Sequence, residues 1–176
     1  MKYTTAAEAV RLIQSHSSVY IQGSTSIPET LVRAMADRAG ELTDVKVYSA
    51  FAVGAFDAPY CKPENRESFL VNSLFVANNI RRWLAEGYGQ SIPAFLGEIP
   101  AMFRDGTLPV DVALLNLSQP NEEGYCSFGV SADLAVSAAE CAHTLIGQIN
   151  KAMPFSYGDA VIHTSRLAAA VEVDSP

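Results

Sequence analysis

The segment that most constrains the fold is residues 110–117, VDVALLNL, in which only Asp111 and Asn116 interrupt a run of apolar side chains. A strand of this kind is apolar on both sides, so both of its faces must be covered by other parts of the protein. Strands buried on both faces occur mainly inside parallel sheets that helices flank. We therefore predict an α/β domain in which this segment lies near the centre of the sheet.

The rest of the chain alternates between short strand-like segments and helix-like segments. Residues 19–22 and 45–49 are rich in β-branched and aromatic side chains, and between them Leu31, Val32 and Met35 recur at helical spacing. This β-α-β opening favours a parallel sheet with right-handed crossovers. Further strands are predicted at 69–75, 91–96, 143–150, 160–165 and 169–173, and further helices at 6–15, 76–85, 99–104 and, with Ser131 as the cap, 131–142. The predicted fold is an open, mostly parallel sheet flanked by helices.

Length and charge exclude several classes of protein. The 176 residues fit one domain with its own core, and a net charge of −7 without a basic run argues against a nucleic-acid or anionic membrane surface. The longest apolar stretches fall short of the roughly 20 residues that a membrane helix needs. Residues 1–18 lack the basic start and apolar run of a secretion signal. We therefore expect a cytoplasmic protein that binds neither nucleic acid nor membrane.

The cysteines and histidines form no recognisable catalytic or metal-binding pattern. Cys61, Cys126 and Cys141 are far apart and make no CxxC pair, which argues against a disulfide framework and a zinc site. The three histidines are equally scattered, so no Ser-His or Cys-His arrangement can be drawn from spacing. We expect reduced thiols that lie mostly in the core, packed and hydrogen-bonded rings at His143 and His163, no metal site and no complete catalytic set.

Part of the surface is expected to face another body. Hydrophobic residues make up 49% of the chain and charged residues 18%, a low charged share for a surface that faces only water. The sequence also stops directly after the strand predicted at 169–173, without a helix to cover it. We expect a domain boundary there, with a second domain, a partner or a twin subunit beside this one.

The first candidate site is the loop between the strand at 19–22 and the helix that follows it. Gly23 admits close approach of a ligand, Ser24, Thr25 and Ser26 are small and carry hydroxyl groups, and Pro28 fits the first helical position. Backbone N–H groups at such a helix start can face a carboxylate, a phosphate or a developing oxyanion. The alternative is an ordinary strand-to-helix turn with a good cap.

Two more loops follow predicted strands. In residues 118–129, Gln119 and Asn121 offer amide donors, and Gly124 beside Tyr125 offers backbone access, while Cys126 has no histidine in the loop to activate it. The alternative is a plain turn rich in Pro, Asn and Gly.

The third loop, residues 150–159, brings the amide of Asn150, a lysine and the flexible apolar pair Met153 and Pro154. The carboxyl ends of parallel strands meet at one edge of a sheet, where open α/β sheets bind ligands. We therefore expect the three loops to line one cleft.

Four blocks of sequence, taken in order, resemble a known family. Residues 95–100 read FLGEIP, 108–115 LPVDVALL, 123–130 EGYCSFGV and 148–154 QINKAMP. In order and spacing they are similar to the acetyl-CoA hydrolase/transferase family, which includes 4-hydroxybutyrate and acetate CoA-transferases. The likeness extends from 19–23 to 162–163 and 171–172, nearly the whole chain.

The resemblance implies that residues 1–176 are the amino-terminal α/β half of a CoA-transferase. In such enzymes the carboxyl-terminal half, absent from this sequence, carries a glutamate nucleophile that attacks an acyl-CoA thioester and passes through a glutamyl-CoA intermediate. The resemblance further implies that coenzyme A is a substrate, that no cofactor is permanently bound, and that the complete enzyme is a homodimer acting on an acyl-CoA and a small carboxylic acid. It implies substrate positioning for Gly23, Ser24, Thr25, Ser26, Pro28, Gln119, Asn121, Gly124, Tyr125, Asn150, Met153 and Pro154.

The sequence departs from the family pattern at three positions. Asn121 and Glu123 stand where aspartate and histidine are expected, and Phe155 follows Met-Pro in place of a basic residue. The acyl substrate is therefore open between 4-hydroxybutyrate and acetate. Two other functions also stay open, namely hydrolysis of acyl-CoA by water and stand-alone binding of a small carboxylate or nucleotide.

Overall fold

The computed structural model describes residues 3–53 and 56–175, which form alternating strands and helices. The strands are β1 (Ser18–Ile21), β2 (Val45–Ser49), β3 (Phe69–Ser73), β4 (Gln90–Ser91), β5 (Val112–Leu117), β6 (Tyr125–Ser127), β7 (Thr144–Asn150), β8 (Val161–His163) and β9 (Leu167–Val173). The helices are α1 (Ala6–Ala9), α2 (Glu29–Ala36), α3 (Asn78–Ala85), α4 (Ile99–Arg104) and α5 (Asp133–Cys141).

Seven of these strands form a parallel sheet in the order β4-β3-β2-β1-β5-β7-β9. Every residue of β5 is buried, and β5 lies between β1 and β7. The apolar run at 110–117 therefore marks an interior strand, as predicted. The α/β class and the parallel sheet are confirmed.

Helices cover both faces of the sheet. One face packs against α1, α2 and α3, and its buried strand residues include Val19, Ile21, Val45, Val47, Leu114 and Ile146. The other face packs against α4 and α5, and its buried strand residues include Tyr20, Ala113, Leu115, Leu117, Leu145 and Ile149. The small side chains of Ala135, Ala138 and Ala139 let α5 approach the sheet closely. Burying each large apolar side chain of this core contributes about 1.5–3 kcal/mol.

Three helix starts and ends differ from the predicted ones. The first helix begins after its cap Thr5, ends at Ala9 and continues as a 3-10 turn over Val10–Leu12. Ser131 does not cap α5, because Ala132 precedes Asp133 and no side chain caps that start. Pro28 precedes α2 and is not its first helical residue.

Two strand predictions are corrected as well. The strand expected at 91–96 is limited to Gln90–Ser91, because Pro93 has no N–H to donate to a neighbouring strand. The loop predicted at 118–129 contains β6, which pairs antiparallel with β8 outside the main sheet. None of the described helices is both long enough and apolar enough to span a bilayer.

Candidate functional site

The three predicted loops leave the same edge of the sheet. β1 pairs in parallel with β5, and β5 pairs in parallel with β7. The segments 23–28, 118–129 and 150–159 therefore begin at the carboxyl ends of three adjacent strands. The three loops therefore share one edge as predicted, but of the three only the first and third contribute described residues to the cavity found there, so the prediction that all three line one cleft does not hold for 118–129. The roles of the individual residues stay predictions.

A cavity of about 290 Å³ opens at this edge. Its volume is close to the lower limit of about 300 Å³ for ligand pockets. Four predicted residues line it, Thr25, Asn150, Met153 and Pro154, together with Ile27, Glu29, Thr30, Asn116, Val130, Gln148, Ala152 and Ser175. The other eight predicted residues are outside this described lining: Gly23, Ser24, Ser26, Pro28, Gln119, Asn121, Gly124 and Tyr125.

The first loop is tied to the segment that follows β2. Ser24 has a φ of 60° and donates its N–H to the Phe51 carbonyl at 2.7 Å, while Val53 N donates to the Ser24 carbonyl at 3.0 Å. A Cβ on Gly23 would lie 2.9 Å from the same Phe51 oxygen, so only glycine fits. Ser26 is fully buried, and its hydroxyl finds no hydrogen-bond partner among the described residues. This loop is thus held by backbone contacts, and Thr25 and Ile27 are its residues at the cavity.

The start of α2 is capped from another strand. Pro28 offers no side-chain cap, and the N–H of Thr30 donates to Oε1 of Gln148 on β7 at 3.1 Å. One N–H that was expected to face a ligand is therefore already satisfied by the protein. The cavity lies directly beside this contact, since both residues line it.

Three buried amide side chains connect the central strands. Oε1 of Gln22 accepts the Asn116 N–H at 2.7 Å, and Nε2 of Gln22 donates to the carbonyls of Phe128 at 3.1 Å and Ser131 at 2.9 Å. Nε2 of Gln148 lies 3.4 Å from Oδ1 of Asn116. We did not predict this network from the sequence. Its only signal in the sequence is a polar residue at the end of each of three apolar strands.

The tip of the second loop is a structural turn. Oδ1 of Asn121 accepts the N–H of Glu123 at 3.1 Å and of Tyr125 at 2.8 Å. Gly124 has a φ of 84°, and a Cβ there would lie 2.9 Å from Nε2 of His163. The Tyr125 ring packs edge-on against His163, with centroids 5.0 Å apart. As expected, His163 is hydrogen-bonded, since its Nδ1 lies 2.7 Å from Oγ of Ser165.

The two buried thiols provide no nucleophile here. Cys126 is buried, and burial raises its pKa to about 11, so it stays protonated at neutral pH. The pKa of Cys61 is raised to about 11 for the same reason. The prediction that His143 is packed is wrong, because its side chain is 83% exposed and lies 3.5 Å from Asp111.

The third loop is anchored by Asn150. Its Oδ1 accepts the N–H of Ser175 at 3.1 Å, and its Nδ2 donates to the Ser175 carbonyl at 2.9 Å. These contacts hold the chain that follows β9 against the end of β7. The Asn150 amide, which we predicted to contact the substrate, therefore also fixes the chain after β9 in place.

The second and third loops are packed against each other. A Cβ on Gly129 would lie only 2.1 Å from Sδ of Met153, so the methionine occupies the space that a larger residue would need. Ser127 Oγ accepts the Ser156 N–H at 2.9 Å, and Ser156 Oγ donates to the Gly129 carbonyl at 2.8 Å. These bonds join the two loops beside Met153, which lines the cavity.

The charge of the cavity is low. Among the described lining residues there is no lysine, arginine or histidine, and the one carboxylate, Glu29, is paired with Arg33 at 3.3 Å. Within residues 3–53 and 56–175, no group of three His, Cys, Asp or Glu side chains is placed to hold a metal ion. The lining offers amides, hydroxyls and apolar groups. Such a wall can bind and orient a small molecule.

The sequence and the structure both match one family of proteins. Residues 1–175 match the acetyl-CoA hydrolase/transferase N-terminal domain. The chain is 37% identical over 175 residues to the 4-hydroxybutyrate coenzyme A transferase of Clostridium kluyveri, with 99% of this chain and 40% of that protein covered. It is 32% identical over 162 residues to the succinyl-CoA:acetate/propanoyl-CoA:succinate CoA transferase of Fasciola hepatica, covering 91% of this chain and 33% of the relative.

Solved structures agree with this assignment. The crystal structure of a 4-hydroxybutyrate CoA-transferase from Porphyromonas gingivalis matches with a TM-score of 0.82 at 34% identity, covering 99% of this chain and 40% of that one. RipA from Yersinia pestis matches with a TM-score of 0.88 at 28% identity, covering 99% and 43%. The chain spans about 40% of the length of the relatives it matches. It belongs to the acetyl-CoA hydrolase/transferase family, within which it corresponds to the N-terminal domain.

Proposed function

We propose that this chain forms one wall of the active-site cleft of a CoA-transferase, which moves CoA between an acyl-CoA and a small carboxylic acid. The observation that carries the proposal is the cavity at the carboxyl ends of β1, β5 and β7, in a domain of this family. Relatives named for the transfer of CoA to and from 4-hydroxybutyrate, butyrate and acetate support it. In the proposal, residues of this wall position the acyl group.

The reactive group belongs, in this proposal, to a region outside the chain. The described lining of the cavity contains no cysteine, histidine or lysine, and its one carboxylate, Glu29, is ion-paired with Arg33. A glutamate of the missing half would attack the thioester, release CoA and form an anhydride. CoA would then attack the glutamyl carbonyl and release the first acid, leaving a glutamyl-CoA thioester for the second acid to attack.

Exposed apolar side chains at the same edge support a covering region. Val53, Phe75, Val130 and Tyr157 are 52%, 59%, 59% and 88% exposed, and they follow β2, β3, β6 and β7. Apolar groups clustered at one edge commonly mark a contact surface. We propose that the carboxyl-terminal half lies against them, and that the complete enzyme is a homodimer. The three free cysteines support a cytoplasmic location.

A transfer assay tests the proposal. The purified chain and the complete protein that contains it are each incubated with acetyl-CoA and either 4-hydroxybutyrate or butyrate, and the acyl-CoA products are separated by chromatography. We expect no transfer by the chain alone and transfer by the complete protein. Transfer by the chain alone would refute the division of labour between the two halves.

The same assay separates transfer from hydrolysis. A hydrolase releases free CoA at the same rate with and without an acceptor acid, whereas a transferase converts acyl-CoA only when the acid is present. Tight binding of a nucleotide by the chain, without transfer by the complete protein, would favour a stand-alone binding module.

A further inference from the structure

Asn116 is a buried amide with an unused donor. It is 4% exposed and lies at the end of β5, where it lines the cavity of about 290 Å³. Its N–H and its Oδ1 are engaged by Gln22 and Gln148, but its Nδ2 makes no hydrogen bond to any residue that the structure describes. The fully buried side-chain atoms that lack a hydrogen-bond partner do not include Nδ2. It therefore reaches open space, and the cavity is the open space that Asn116 lines.

The orientation of this amide follows from its neighbours. The Thr30 N–H can only donate, so the atom of Gln148 that it meets at 3.1 Å must be the oxygen Oε1. Nε2 of Gln148 is then the atom that faces Asn116, and it requires the acceptor Oδ1 at 3.4 Å. Nδ2 of Asn116 is left on the other side. One backbone N–H at the start of α2 thus sets which group Asn116 presents to the cavity.

The surroundings of Nδ2 favour an uncharged oxygen. Ile27, Val130 and Met153 supply apolar walls, and no cationic side chain lies in the described lining. The one carboxylate of that lining, Glu29, is already paired with Arg33, which lies outside the described lining. A second carboxylate on a ligand would therefore lose its hydration without gaining a counterion. A hydroxyl group would find a donor in Asn116 and would leave no charge unpaired.

We propose that Asn116 is a specificity-determining residue that donates its Nδ2–H to a hydroxyl oxygen on the tail of a short acyl group. Gln22 and Gln148 act on the ligand only by holding Asn116 in place. The substrate class is that of ω-hydroxy acids, in preference to dicarboxylic acids and plain fatty acids. This assignment rests on the proposed function, because it assumes that the acyl group enters this cavity.

Nuclear magnetic resonance of the isotope-labelled chain tests the assignment without requiring turnover. 4-Hydroxybutyrate, butyrate and succinate are added in separate titrations at equal concentrations, and the Asn116 side-chain amide resonances are followed. We expect 4-hydroxybutyrate to shift them and the other two acids to leave them nearly unchanged. No shift with 4-hydroxybutyrate, or an equal shift with butyrate, would overturn the assignment.

Kinetics of the complete enzyme provide the second test. Asn116→Leu removes the donor at similar volume, and Asn116→Asp keeps the acceptor for Gln148 should the first variant fold poorly. We expect the ratio of kcat/KM for 4-hydroxybutyrate over butyrate to fall about twofold to tenfold, the range for loss of one hydrogen bond. An unchanged ratio in both folded variants would contradict the proposal.

Asn72 supplies the matched control. It is a buried amide on β3 that donates to the Leu70 carbonyl and accepts from Gln90, and it is not part of the described lining of this cavity. Asn72→Leu should leave the substrate ratio unchanged. If the complete wild-type enzyme transfers CoA to neither acid while the Asn116 amide shifts, the proposed function fails and the hydroxyl-binding site stands.

Discussion

Gly129→Ala is the substitution whose effect the structure defines most sharply. Gly129 has a φ of 66°, in the left-handed region that residues with a Cβ seldom adopt. An alanine Cβ would lie 2.1 Å from Sδ of Met153, whereas unstrained heavy atoms stay about 3.5–4.0 Å apart. The sulfur would have to move by roughly 1.5 Å or more to relieve the overlap.

Two terms determine the size of the effect. Holding alanine in the left-handed region costs about 1–2 kcal/mol. Forcing an extra methyl group into a packed site typically costs a further 1–3 kcal/mol. We therefore expect Gly129→Ala to lower the free energy of unfolding by about 2–5 kcal/mol, measured by urea denaturation of the purified chain at unchanged m-value.

Gly158→Ala separates the two terms. Gly158 also has a positive φ, 96°, but no described atom lies within 4 Å of its added Cβ, so only the backbone term of about 1–2 kcal/mol applies. In a Met153→Ala background the overlap disappears, and Gly129→Ala should then destabilise no more than Gly158→Ala does. If Gly129→Ala lowers the free energy of unfolding no more than Gly158→Ala does in the wild-type background as well, the inferred contact with Met153 is absent and the reasoning is refuted.

Three further predictions concern single groups. Burial opposes ionisation of Asp111, but hydrogen bonds from the N–H and hydroxyl of Ser18, each 2.8 Å, and the nearby imidazole of His143 outweigh it and lower its pKa. Because its pKa is lowered, ionised Asp111 stabilises the fold above about pH 4, and this contribution is lost as the pH falls further. Asp111→Asn should lower the free energy of unfolding by about 1 kcal/mol at pH 7. It should also flatten the acid side of a plot of stability against pH. A maleimide reagent at pH 7 should label Cys141, which is partly exposed, long before the two buried cysteines, as mass spectrometry of peptides can show; equal labelling of all three would contradict the burial. Gln148→Leu should lower stability by about 1–2 kcal/mol and speed hydrogen exchange of the first-turn amides of α2, because it removes the cap; unchanged exchange there would disprove the capping contact.

The sheet was predictable because its signals are local. Each central strand is a short apolar run that can be recognised within its own sequence, and residues 112–117 are buried throughout. Parallel pairing followed from the intervening helical patterns, since crossovers of this kind place helices on the faces of the sheet. The exact ends of the helices were less predictable. Ser131 has the chemistry of a cap, yet its carbonyl accepts from Gln22 and the helix begins two residues later.

The amide network was not predictable because its partners are distant in the chain. Gln22 and Asn116 are 94 residues apart, and Asn116 and Gln148 are 32 apart. Their contact depends on the strand order, which no local pattern specifies. The short strand β6 was missed for the same reason, since it exists only through its pairing with β8.

The placement of the loops was predictable, whereas the division of labour within them was not. Asn121 has the chemistry of a ligand-binding residue, but its amide oxygen builds the turn that contains Gly124. Asn150 lines the cavity and also ties down Ser175. Turn formation and ligand binding use the same small polar side chains, so residue type alone does not separate the two roles.

The claim that the acyl group enters the cavity between the first and third loops can be tested by photoaffinity labelling. A short acyl-CoA with a photoreactive diazirine on its tail is bound to the complete enzyme and irradiated, and the labelled peptides are sequenced by mass spectrometry. We predict labels on residues 25–30 and 152–154. The structure has a second cavity, of about 730 Å³, lined by residues of β2, β3 and β4 that include Lys46, Asn72 and Gln90. Labels confined to that second cavity would contradict the account.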